Sequence, residues 1–156
     1  MVDGDVKPSM GFIYGELLKA KREIKEAFGN NESRFKEVIA VIDKKMKGRL
    51  DSPFHLTAYL LNLHYSYANP SIFDEPTITK GFISCMETFY YHEEDKQDQA
   101  ANIELKRFQN REGPFNKKLA RTFENFDYNL GRGTCYYNKF DYNMVVYCFH
   151  LTINGY

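Results

Sequence analysis

Ser52-Pro53-Phe54-His55-Leu56-Thr57-Ala58-Tyr59-Leu60-Leu61-Asn62-Leu63 is the stretch that decides how this chain folds. Ser52 suits an N-cap. Pro53 suits the first helical position, where a missing N–H and a fixed φ cost nothing. From Phe54 to Leu63 almost every position is apolar. A helix that is apolar all round has no solvent face, so this one is predicted at the centre of a core.

Upstream, Pro8 and Ser9 open a first helix. Ile13, Leu17, Ala20, Ile24 and Phe28 recur on it at steps of three or four, one stripe of a helical surface. Gly29 followed by Asn30-Asn31 is a stop and a new start. The second helix carries Phe35, Val38, Ile39, Ile42 and Met46 at the same period. It ends in Lys44-Lys45-Met46-Lys47-Gly48-Arg49, cations where the helix dipole favours them. Downstream, Tyr65 to Asp74 is expected to be a loop broken at Asn69-Pro70. Glu75-Pro76 starts a fourth helix with Ile78, Phe82, Cys85 and Phe89 in line. His92 to Asp98 is acidic, a linker or an exposed helix start. A fifth helix carries Ala101, Leu105 and Phe108 and ends before Gly113-Pro114. A sixth runs from Pro114 with Phe115, Leu119, Phe123 and Phe126. The expected fold class is mainly α, an irregular bundle of about six helices. From Leu130 onward charge thins to Arg132, Lys139 and Asp141, glycines stand at 131 and 133, and Tyr, Phe and Val favour strand. The predicted division is a helical region, 1–129, and a poorly ordered tail, 130–156, extended or weakly β.

The chain of 156 residues is one domain's worth, and 21 Lys and Arg balance 21 Asp and Glu. That balance argues against a uniformly basic nucleic-acid binder and leaves room for a local basic face. No stretch approaches the ~18 consecutive apolar residues of a membrane span, so no membrane partner is expected. The opening Met1-Val2-Asp3-Gly4-Asp5 lacks the apolar core of a secretory signal. Cys85, Cys135 and Cys148 are odd in number and include no C-x-x-C pair, which fits a reducing compartment better than a disulfide framework.

The chemistry-bearing residues are few. Lys44, Lys45, Lys47 and Arg49, with Arg34 and Lys36 upstream, can grip phosphates or can simply form a solvated helix face. Each neutralised phosphate would add about 0.9 to the salt slope of binding. Lys117, Lys118 and Arg121 form a second, weaker cluster. Asp3 with Asp5 read as a solvated acidic end, since no other ligands converge on them, and Glu93, Glu94, Asp95 and Asp98 as a solvated linker, since they have neither the spacing nor the glycine of a calcium loop. His55 and His64 read as core-edge residues and Cys85 as a small core residue. No phosphate-binding glycine loop, zinc spacing or nucleophile elbow occurs. Neither a metal site nor a cofactor is expected within the chain.

Several blocks together resemble plant-type hAT-superfamily transposase-like proteins: Val2-Asp3-Gly4-Asp5 leading to Lys7-Pro8-Ser9-Met10-Gly11-Phe12-Ile13-Tyr14; Asn31-Glu32-Ser33-Arg34-Phe35; Ile42-Asp43-Lys44-Lys45; and Arg49 to Asn62. The resemblance covers roughly 1–129. It implies the later part of a helical insertion that interrupts an RNase H-like core. In that family three carboxylates hold divalent metal such as Mg for DNA strand cleavage and transfer. By this placement the first two lie upstream of Met1. The third belongs to a Trp-bearing, Cys-Glu-Arg-like context that the sequence after Asn129 does not carry. The resemblance therefore implies a truncated, catalytically incomplete relative, nuclear where functional and otherwise cytoplasmic. It would make weak DNA backbone contact through Lys44, Lys45, Lys47 and Arg49. The alternative expectation is a helical protein–protein interaction module, self-associating or recruiting partner helices through an exposed stripe of the first or sixth helix.

Overall fold

The computed structural model describes residues 10–116. The division at 129, the tail, the sixth helix beyond Asn116, Asp3, Asp5 and the Lys117–Arg121 cluster lie outside the described residues. Within them the protein is mainly α, as expected, with no strand. Helix α1 spans Met10–Ala27, α2 Glu32–Met46, α3 Pro53–Leu60, α4 Leu63–Ala68 and α5 Pro76–Phe89. A 3₁₀ turn, Pro70–Asp74, joins α4 to α5. Helix α6, Glu94–Asp98, runs through a π turn, Gln99–Glu104, straight into α7, Leu105–Gln109. A 3₁₀ turn at Gly113–Asn116 follows.

The central helix is where its composition demands. Pro53 sits in the first turn of α3, and Leu56, Thr57, Ala58, Tyr59 and Leu60 are all buried. Ser52 occupies the N-cap position, but its hydroxyl is spent on His55 Nδ1 at 2.7 Å and not on a backbone N–H. Helices α1 and α5 pack on α3. Both do so through glycine: a Cβ on Gly11 would strike the Ala58 backbone, and one on Gly81 would lie 2.6–2.7 Å from Leu56 carbons. Leu60 and Phe82 are fully enclosed, with Leu63 and Cys85 beside them in the same core.

Three expectations are corrected. The core-facing side of α1 is Gly11, Tyr14 and Gly15. Of the expected stripe Ile13, Leu17, Ala20, Ile24 and Phe28, Leu17 packs against the core beside Leu18 and Ile24 is half-buried, whereas Ile13, Ala20 and Phe28 are exposed. Close approach of backbones favours small residues, and hydrophobic periodicity cannot register a glycine. The expected loop at Tyr65–Asp74 is helical at both ends. Asn62 interrupts the apolar run and caps α4, its Oδ1 accepting from the His64 N–H at 3.0 Å. The apolar stripe of α5 stops short of Phe89, which is 57% exposed.

A second knot of aromatic rings closes the other end. Phe108 lies 5.2 Å from Tyr67, 5.3 Å from Phe115 and 6.0 Å from Phe73, centroid to centroid. The Tyr67 hydroxyl donates to the Phe108 carbonyl at 3.1 Å. The π turn helps here. Its i→i+5 bonding takes more than 3.6 residues per turn, so Ala100, Glu104 and Phe108, spaced by four, all face inward and are buried.

The hairpin of α1 and α2 is built differently. Asn31 caps α2 by accepting from the Ser33 N–H at 3.2 Å, after a turn in which Gly29 and Asn30 take positive φ. From Glu16 to Lys45 no residue is buried. Phe35, Ile39 and Ile42 are half-buried, Val38 and Val41 exposed, and Met46 is the first buried residue of α2. Lys21 pairs with Asp43 across the hairpin, and Lys25 lies 5.8 Å above the Phe35 ring. The hairpin is therefore an arm held to the body at its base.

Two substitutions test this division. Leu60→Ala removes a fully enclosed side chain and should cost about 2–5 kcal/mol, whereas Val41→Ala on the arm should change stability by about 0.5 kcal/mol or less, both read from urea unfolding. Gly11→Ala should destabilise, although Ala in a helix interior is ordinarily worth about 1 kcal/mol over Gly.

Candidate nucleic-acid interface

The four predicted phosphate contacts sit at the elbow between arm and body. Lys44 and Lys45 are in the last turn of α2, and Lys47 is its C-cap residue, its N–H donating to the Asp43 carbonyl at 3.0 Å. Gly48 then takes a φ of +71°, and its N–H donates to Asp51 Oδ1 at 2.6 Å. The N–H groups of Arg49 and Leu50 both return to the Met46 carbonyl at 2.9 Å. Buried Met46 and half-buried Leu50 peg this turn to the core. The cations are thus carried by an ordered turn. All four side chains are exposed, and none forms an ion pair with a described residue.

The structure also separates what the sequence grouped. Lys44 and Lys45 diverge by about 100° around the helix axis. Arg34 and Lys36 lie roughly 12–15 Å up the arm from Lys44, at 1.5 Å per residue. What unites these residues is net charge. Residues 19–49 hold ten Lys and Arg against five Asp and Glu, while 50–116 hold five against ten. The neutral total conceals a basic arm on an acidic body.

The other candidates do not assemble into chemistry. Glu93 is held by Lys96 at 2.5 Å, Asp98 Oδ1 accepts from Asn102 at 2.7 Å, and Glu94 and Asp95 are exposed. Among the described residues no three His, Cys, Asp or Glu come together as a metal site. His55 is engaged by Ser52, and His64 stands edge-on to Tyr65 at 5.0 Å. Burial pushes the Cys85 thiol up, with Thr57 opposing, which makes it a poor nucleophile.

Two features carry no sequence motif. A cleft of about 360 Å³ is lined by Tyr14, Leu18, Tyr59, Asn69, Ile72 and Glu75, among others. Its two phenols stack edge-on at 5.2 Å. Burial pushes the Tyr59 phenol up to about 12, Tyr14 adds to this, and Arg22 opposes it. Burial likewise raises Tyr14, helped by Asp51 and Glu75. The second feature is Glu104, 1% exposed, whose Oε1 accepts from Arg107 at 3.0 Å while Oε2 has no partner. Nothing in the residue types marks the cleft or the burial of Glu104. Both arise from how α1, α3 and the π turn are packed.

Comparison with protein-family models, with curated proteins and with solved structures found no match.

The tyrosine cleft gives a pH prediction. Tyr59 stays neutral in the folded state to about pH 12, whereas unfolded tyrosine ionises near 10.0. The folded state thus loses stability as pH rises from about 10 to about 12 and is unaffected by this group below that window. Urea midpoints measured across alkaline pH should fall over that range, and Tyr59→Phe should flatten the fall.

Proposed function

We propose that this chain is the helical part of a hAT-type transposase-like protein and contacts the nucleic-acid phosphate backbone through Lys44, Lys45, Lys47 and Arg49, without a catalytic step of its own. The observation that supports the reading is the elbow: four exposed cations, unpaired by any described acid, on an arm with an excess of positive charge. Such cations bind by releasing the counterions condensed on a duplex, which is independent of base sequence. The chemistry is positioning. On this reading the metal-holding carboxylates belong to the core that the helices interrupt, and the protein works in the nucleus.

A fluorescence-anisotropy titration against a short duplex tests the proposal. Binding should weaken linearly with salt on logarithmic axes. Replacing all four cations with Gln should reduce the slope by about 3–4, which is about 0.9 for each phosphate no longer neutralised. Replacing Lys80, Lys96 and Lys106 on the acidic body should leave the slope unchanged. Absence of binding at low salt, or equal effects of the two sets, would refute it.

A further inference from the structure

The arm has an exposed apolar stripe that the phosphate reading does not use. Arg34, Val38, Val41 and Lys45 follow one another at steps of four, three and four, so they share one face of α2. Val38 is 41% and Val41 60% exposed, each bracketed by a cation. The body carries the opposite pattern. Phe54 and Phe89, from α3 and α5, stack edge-on at 6.0 Å while 39% and 57% exposed. Tyr91, 72% exposed, is two residues beyond, and exposed Glu93, Glu94, Asp95 and Asp98 follow directly. One surface is two valines framed by cations. The other is the stacked Phe54–Phe89 pair, followed in sequence by Tyr91, whose ring lies 3.8 Å from that of His92, and by four exposed acids, of which Glu93 is paired with Lys96.

We infer that the arm of one copy docks head-to-tail on the Phe54–Phe89–Tyr91 face of a second copy. Charge selects this arrangement. Two arms laid side by side would each bring an excess of five positive charges, and two acidic bodies would repel equally. Only arm on body sets an excess of five positive charges against an excess of five negative, while burying apolar side chains on both sides. The contact is heterologous, because the two surfaces differ, so it builds chains or closed rings and not an isologous pair. This inference does not require nucleic-acid binding, although Lys45 serves both surfaces.

A mixing experiment decides it. Size exclusion with light scattering should show the full chain associating at low salt, with association weakened about tenfold as salt is raised through the range where the Debye length shrinks to a few ångströms. The arm variant Val38→Glu/Val41→Glu should be monomeric alone. The face variant Phe89→Lys/Tyr91→Lys should also be monomeric alone. Mixed in equal amounts they should form a dimer, since one supplies an intact arm and the other an intact face. All four positions are exposed, and unchanged far-ultraviolet circular dichroism confirms that both variants fold. The milder pair Arg34→Glu/Lys45→Glu, which alters charge alone, should weaken association of the parent in the same direction. A monomeric parent, a face variant that still self-associates, or a mixture that remains monomeric would each overturn the inference.

Discussion

The structure depends on the close approach of α1 and α5 to α3. A helix with no polar face is stable only if other elements cover it on all sides, and here the two coverings come near enough that glycine is needed at Gly11 and Gly81. The apolar surface of Leu56 to Leu60 is thereby removed from water, which is the dominant stabilising term for a domain of this size. The polar groups of the same helices are handled locally. Thr57 reaches the Gly81 carbonyl at 3.5 Å, and the Ser66 hydroxyl is given to the Leu60 carbonyl where α3 breaks into α4.

Because the body satisfies its own core, the arm is left to carry charge. Its helices touch each other through half-buried side chains and the Lys21–Asp43 pair, in which Lys21 is half-buried and Asp43 exposed. Met46 and Leu50 tie its returning chain to the interior. The segregation of positive charge onto the arm and negative charge onto the body gives the molecule two distinct electrostatic surfaces despite zero formal charge. Phosphate contact at the elbow and pairing of arm with body both draw on that segregation and share Lys45.

Much of this is legible in the sequence where punctuation is chemical. Pro53 and Pro76 fall in the first turns of α3 and α5, Asn31 caps α2, and the apolar density of Phe54–Leu63 marks a central helix. The four elbow cations can be named from sequence, but neither their freedom from ion pairs nor the reach from Arg34 to Lys44 is a property of sequence. The inward face of α1 is hidden because glycine contributes nothing to a hydrophobic stripe. Helix α4 is hidden because its cap, Asn62, stands inside an apolar run and the helix has only six residues. Burial of Glu104 depends on a π turn, for which no residue pattern between Gln99 and Glu104 gives a sign.

Native-state amide hydrogen exchange tests most directly the claim that α3 is the keystone and the arm an appendage. Amides of α3, and those of α1 and α5 packed on it, should exchange only through global unfolding, while amides from Lys19 to Lys45 should open at a free energy well below the global value. Equal protection of α2 and α3, with both responding alike to Leu60→Ala, would contradict it.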